Sequence, residues 1–404
     1  MTESALRHRN YAIYLAGNTL SLHGLWIYRV ALGWFAWQLS YSELWVGIVA
    51  FTQFAPAVIF GPIFGVLADR FDRKATSILV NSCSVINMLL LGLLTALEFI
   101  DIRVLALLSL MQGVLDGAHV PVRLSIVPNL VPKAQLESAI ALTSVAFNLS
   151  RFVGPALAGP VIAVWGVGAA FIINGVSYLA LIAAMVVVQL NPSGASKRER
   201  KHPWAELKEG AHYVFSHPVV RALLFAVAAG SIFGRGGLEM LPAFVDVVYG
   251  KGAAALATLT SAIGGGAVVA GLLLTRRTAW MSVNVVRTGI FVSGLLIVAF
   301  GYTNDFRIAV VLVTLLGAIL TLCAIGSQIL IQSSIDDDMR GRVGSFWAII
   351  VMGGTSLGGL VVGASAGAFG LEPAVALSGL LCTLTIVGSW LTAPARQADR
   401  PGTR

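Results

Sequence analysis

Long apolar stretches alternate with short polar gaps along the whole chain, and the stretches have the length a bilayer demands. A spanning helix needs about 20 mostly apolar residues. Such stretches lie near 11–38, 44–67, 75–97, 103–121, 138–160 and 168–190. They resume near 219–247, 253–275, 283–303, 307–332, 343–367 and 372–393. The pattern predicts an all-α membrane protein of twelve transmembrane helices, with the short gaps forcing neighbours to run antiparallel. One gap differs. Residues 191–217 are polar, with Lys197, Arg198, Glu199, Arg200 and Lys201 in succession. The start of this segment reads as a linker. Trp204 to Phe215 reads either as a short amphipathic helix on the membrane face or as a solvated stretch. The segment divides the chain into two six-helix bundles, 1–190 and 218–404.

Composition closes off a water-soluble fold. Hydrophobic residues make up 57% of the 404 and charged residues 11%, where a soluble domain carries about a quarter charged. The net charge of +8 would suit nucleic acid only as a clustered basic face, and here the basic residues sit in the gaps. With the N-terminus inside, the inner gaps hold Arg7, Arg9, Arg70, Arg73, Lys74, Arg123, Lys133 and the basic run at 197–208. Arg276, Arg277, Arg340, Arg342 and the tail arginines continue the series, while the outer gaps hold only Arg103, Lys251 and Arg307. That asymmetry places both termini in the cytoplasm, with the chain multi-pass in the inner (cytoplasmic) membrane. Met1–Asn10 is polar and short, so no cleaved leader is expected. Cys83, Cys323 and Cys382 lie in separate apolar stretches and read as packing thiols.

The two halves echo each other. Ser21 and Gly24 match Ser231 and Gly234 at an offset of 210; Gly65 and Arg70 match Gly271 and Arg276 at 206; Gly154 and Gly159 match Gly358 and Gly363 at 204. A shared order with a slowly drifting offset marks a duplicated six-helix unit. Two such repeats with a site at mid-depth are a transporter architecture.

After the second span stands Gly65-Val-Leu-Ala-Asp69-Arg70-Phe-Asp72-Arg73-Lys74. This run resembles the signature of the major facilitator superfamily, although the family usually has Gly at the position of Asp72. The resemblance implies that Gly65, Asp69, Arg70 and Arg73 form a cytoplasmic gate, latched when the cavity faces outward. Leu6–Gly17, Pro128–Pro132 and Asp338–Ser345 resemble the branch of siderophore (enterobactin-type) and macrolide exporters. Asn148–Gly159 resembles a fifth-helix motif associated with antiporters, with Gly154, Pro155 and Gly159 as hinge or packing positions. That branch often has an acid after the first-span glycine; here Gly24 is followed by Leu25.

Charges at span depth are costly and should face a cavity. The first span carries His23 and Arg29, the fourth Asp116 and His119, the fifth Arg151, and the seventh Arg235, Glu239 and Asp246. The family lines its cavity with spans one, four, seven and ten. Arg235 and Glu239, four apart, share a helix face, and Arg29 and Glu239 stand at the 210 offset. Glu239, then Asp116, is expected as the protonatable group, with Arg29, Arg235 and Arg151 modulating it or holding an anionic part of the substrate. The alternative is a permanent packing pair. Asp246 and His119 read as interfacial. Trp26 and Tyr28 are the aromatic candidates for the cavity wall. The expected activity is proton-coupled export of an amphipathic drug or siderophore by a monomer with no metal or cofactor. An importer, a lysolipid flippase or a non-transporting sensor are the alternatives. No Walker motif or metal-site spacing points to an enzyme.

Overall fold

The computed structural model describes residues 4–68, 71–190, 203–276, 280–335 and 339–392. There is no strand among the described residues. The first helices are α1 (Arg9–Ser40), α2 (Glu43–Ala68), α3 (Arg73–Ala96), α4 (Ile102–Ile126) and α5 (Leu136–Val187). Next come α6 (Pro203–Ser216), α7 (Pro218–Ala229), α8 (Leu241–Val247), α9 (Ala253–Arg276) and α10 (Val283–Gly301). The chain closes with α11 (Phe306–Ser334), α12 (Arg340–Phe369) and α13 (Leu371–Thr392).

Ten helical segments of the described residues are long and apolar enough to cross a membrane. One, over Lys133–Val187, is 55 residues long and contains two spans joined at Gly166 (φ 79°, ψ 174°). A further helix, α1, is 32 residues long; its Asn18, His23 and Arg29 make it too polar for that set. With both halves of α5 and with α1, the expected twelve spans are accounted for. Asp72, the departure from the family's glycine, has a structural use: its carboxylate accepts from Ala75 N at 2.7 Å and caps α3.

The packing repeats as the sequence does. In lipid there is little hydrophobic drive between helices, so close approach at small residues holds them together. Gly154 in α5 lies on the His23 carbonyl and the Trp26 Cβ of α1; Gly358 in α12 lies on the Ile232 carbonyl and the Gly236 Cα. Positions 26 and 236 are 210 apart. A Cβ at Gly159 would come 3.3 Å from Ala254 Cα and 2.9 Å from Ala257 Cβ, and Gly363 lies likewise on Glu43 and Gly47. A third pair was not anticipated from sequence: Gly92 lies on the Gly168 carbonyl and Ile172, and Gly301 on the Glu372 carbonyl and Ala376.

Two compact units result. The first comprises Met1–Tyr41, Ala55–Lys197 and Lys251–Gly264; the second comprises Ser42–Phe54, Arg198–Gly250 and Gly265–Arg404. Their borders differ from 1–190 and 218–404, because the opening of α2 packs on α12 at Gly363 and the opening of α9 packs on α5 at Gly159. Helix α6 also differs from a solvated linker or a helix held only at the membrane face. Glu209 pairs with Arg342 at 2.9 Å, Gly210 lies against Phe346, and Val214 is buried in a core shared with α7, α10 and α13.

Gly166 is in a backbone region that essentially only glycine occupies, yet nothing lies within 4 Å of where its Cβ would be. Gly166→Ala is therefore expected to cost about 1–3 kcal/mol through backbone strain alone. Gly367→Ala, equally uncrowded but inside α12, should be neutral or stabilising by up to about 1 kcal/mol. Thermal unfolding of the two purified variants would measure the contrast.

Candidate functional site

The first unit holds a connected cluster of charged and aromatic side chains at span depth. Because Gly154 brings α5 against α1, the Trp26 indole lies beside α5. The Arg29 guanidinium sits 4.7 Å from the centre of that indole and Arg151 5.7 Å from it. Phe147 meets Trp26 edge-on at 6.1 Å, and Arg123 lies 5.9 Å from the Phe147 ring. Such guanidinium–indole contacts are worth about 0.5–2 kcal/mol each. His23 Nδ1 is 2.7 Å from the Thr19 carbonyl and 3.1 Å from Ser150 Oγ, a second tie between the two helices. Trp26, Arg29 and Arg151 are half-buried. Charged groups at such depth belong in a bundle interior rather than against acyl chains.

Asp116 of α4, also half-buried, is in electrostatic reach of Arg29. Behind it lies a network of neutral residues. Gln112 Nε2 is 3.0 Å from Asp116 Oδ1, 3.2 Å from Tyr178 OH and 3.5 Å from Ser84 Oγ. Asn87 Nδ2 donates to Gln112 Oε1 at 3.2 Å and to the Leu108 carbonyl at 3.1 Å. Ser84 Oγ lies 3.3 Å from His119 Nε2, and the His119 ring stacks on Tyr178 at 5.6 Å. His119 is thus part of the interior, not interfacial as expected. Gln112, Ser84, Asn87 and Tyr178 were not anticipated. The available signal was Asn81, Ser84 and Asn87, polar at every third position of an apolar helix and all buried.

Tyr28 does not line a cavity. It is fully buried and meets Phe171 edge-on at 5.9 Å, because it points from α1 to the second half of α5.

In the second unit, α7 does not continue as a regular helix. A π-helical turn over Gly230–Arg235 leads to one α turn, Gly236–Leu238, and the chain breaks at Glu239 before α8. Arg235 lines a small pocket with Gly230, Ser231, Leu320 and Cys323, and it interacts electrostatically with Glu239. The Glu239 side chain lies along α12: a Cβ at Gly359 would be 3.2 Å from its Cγ and 3.4 Å from Ala50 Cβ. The two charges thus act on each other, although not from a uniform α-helical face. Asp246 is half-buried in α8.

Of the expected gate, Asp69 and Arg70 lie outside the described residues, as do the surroundings of Gly65 in the last turn of α2. Arg73 is the first residue of α3 and is partly exposed. Gly154, Pro155 and Gly159 lie inside α5, with Gly154 and Gly159 at the crossings described above.

A dozen spans in two repeats, with charged groups held at span depth, define a secondary transporter rather than an enzyme. Comparison with known proteins gives the family. The model of the "transmembrane secretion effector" family matches residues 2–400, and the chain belongs to that family, within the major facilitator superfamily. The staphyloferrin A transporter of Staphylococcus aureus (strain NCTC 8325 / PS 47) is 25% identical over 373 residues, 91% of this chain and 92% of that protein. The enterobactin exporter EntS of Escherichia coli O1:K1 / APEC is 26% identical over 402 residues, covering 93% and 91%. Among solved structures, an inward-facing, unoccupied bacterial homolog of the human lysosomal transporter Spinster superposes with a TM-score of 0.77 at 16% identity, covering 98% of this chain and 99% of that one. The nucleoside transporter NupG gives 0.75 at 13% identity, covering 95% and 98%. At these identities the solved structures speak for the fold.

Gly154→Val would put two methyl groups into Trp26 and the His23 carbonyl. Overpacking of this kind costs about 1–3 kcal/mol. A lower thermal midpoint of the purified protein, with Gly388→Val as the uncrowded control, is the expected result.

Proposed function

We propose that this chain is a proton-coupled exporter of an amphipathic small molecule of siderophore or drug type. It works as a monomer by alternating access in the inner membrane, with both termini cytoplasmic. The observation that carries the reading is the cluster of Trp26, Arg29, Arg151 and Asp116, half-buried at span depth in one unit. Aromatic faces and guanidinium groups suit a planar, oxygen-rich molecule better than a small inorganic ion. The relatives named for staphyloferrin A and enterobactin, matched over nine-tenths of the chain, support that substrate class, and the second, named an exporter, supports the outward direction.

Asp116, ahead of Glu239, is the coupling acid in this reading. Glu239 feels the charge of Arg235 and its side chain lies along α12, an arrangement that suits a packing role. Asp116 instead sits at the edge of the charged and aromatic cluster. When ionised it accepts strong hydrogen bonds from hydroxyl or amide groups of the substrate; a proton on the same carboxylate removes its charge and weakens it as an acceptor. Proton and substrate then exclude one another, as exchange requires. Arg29 steadies the ionised form between the two events. The loop of Gly65, Asp69, Arg70 and Arg73 serves as the cytoplasmic gate.

The test is uptake into everted vesicles from a host lacking its own pumps, with enterobactin and ethidium as probes, with and without a protonophore. Proton-driven accumulation of at least one probe is expected. Asp116→Asn should reduce it about tenfold or more, while Glu239→Gln keeps most of it. Accumulation insensitive to the protonophore, or net movement in the importing direction only, would overturn the proposal.

A further inference from the structure

The amide of Gln112 is over-subscribed. It has two N–H bonds, and three oxygens lie within reach of its nitrogen: Asp116 Oδ1, Tyr178 OH and Ser84 Oγ. Its orientation is fixed, because Asn87 Nδ2 donates to its carbonyl oxygen. The nitrogen therefore cannot turn away, and the three oxygens must share two hydrogens. A carboxylate is the strongest acceptor of the three while ionised and loses that advantage when it takes a proton. The distribution of hydrogens over this buried group is accordingly set by the charge on Asp116.

We propose that Gln112 is a positioning residue that passes the protonation state of Asp116 to Tyr178 and His119, and that this relay ties proton binding to the contacts of α4 with α3 and with the second half of α5. With Asp116 ionised, one N–H of Gln112 is held by the carboxylate and the hydroxyls of Tyr178 and Ser84 compete for the other. With Asp116 protonated, both N–H groups go to the hydroxyls. Ser84 then has its own proton free for His119 Nε2, 3.3 Å away, and the Tyr178 hydroxyl accepts from Gln112 without competition from the carboxylate. The chain thus runs from α4 to Ser84 of α3 and to Tyr178 in the second half of α5. The charged and titratable groups acting on it are Arg29 and Tyr28 of α1 and Arg123 of α4, the last through His119. Networks of this kind are cooperative, so one proton can reorient several hydroxyls.

This inference rests on the reading of the chain as proton-coupled, and its test is separable from that reading. The purified full-length protein, reconstituted in lipid without any substrate, is titrated while infrared difference spectra are recorded. In the wild type a carboxyl band absent from Asp116→Asn and a tyrosine band absent from Tyr178→Phe should change together with one midpoint. Gln112→Leu should keep the carboxyl change and lose the tyrosine change; Gln112→Met, close in volume, replaces it if Gln112→Leu is not recovered as a monodisperse protein. A residue that merely supported folding would not separate the two bands. The relay is overturned if the tyrosine band of the Gln112 variant still follows the carboxyl band as in the wild type, or if no Asp116 band titrates in the wild type. Protonophore-sensitive uptake in vesicles, measured separately, reports on the underlying reading whatever the spectra show.

Discussion

Close approach of helix backbones at glycine is the constraint on which the rest of the molecule depends. Lipid tails are as apolar as leucine, so burying leucine between helices gains little over leaving it in the bilayer. What remains is contact area and weak polar attraction, and both grow as helix axes come together. Gly154 on Trp26, Gly358 on Gly236, Gly159 on Ala257 and Gly363 on Gly47 are the places where that happens. Each is a crossing that any larger residue would push open. The functional cluster inherits its geometry from the first of them, since the Trp26 indole is set between two guanidinium groups only because α5 carries no side chain at Gly154.

The two units divide the polar residues differently. In the first, charge is spread over several helices and backed by neutral hydrogen-bonding groups, from Arg123 through Trp26 to Asp116 and Gln112. In the second, the seventh span carries Arg235 and Glu239, which interact electrostatically, beside a small pocket lined partly by Cys323. Near-identical backbone crossings therefore carry different chemistry, as expected of a duplicated unit whose copies have specialised. Cys323 and Cys382 are free and buried, and their thiols lie within reach of backbone carbonyls of Val286, Ala229 and Ile290, so they serve packing.

Much of this was legible in the order of residues. Apolar stretch length gave the spans, because bilayer thickness leaves little choice. The offsets of 210 and 204 anticipated the crossings at Gly154 and Gly358 and at Gly159 and Gly363, because a duplicated contact must conserve both of its members. Gly92 and Gly301 escaped notice since glycine is abundant and one pair alone carries no order. Tyr28 and His119 were misplaced for one reason: a helix in lipid has no polar outer face, so the usual periodicity does not tell which side is inside. Gln112 was invisible because a neutral amide raises no alarm in a hydropathy pattern. Its importance comes from Asn87, Ser84 and Tyr178, which belong to other helices.

The π turn at Gly230–Arg235 bears on how sequences of this family should be aligned. A π turn holds one residue more than the α turn it replaces, which rotates everything after it by roughly 100° about the helix axis. Glu239 sits against Gly359 one turn beyond that slip. A relative that lacks the extra residue would carry the same acid, in the same alignment column, on another side of the same span. Identity at that column is then poor evidence of a shared role. Whether the bulge is present, rather than whether the glutamate is, becomes the character to compare.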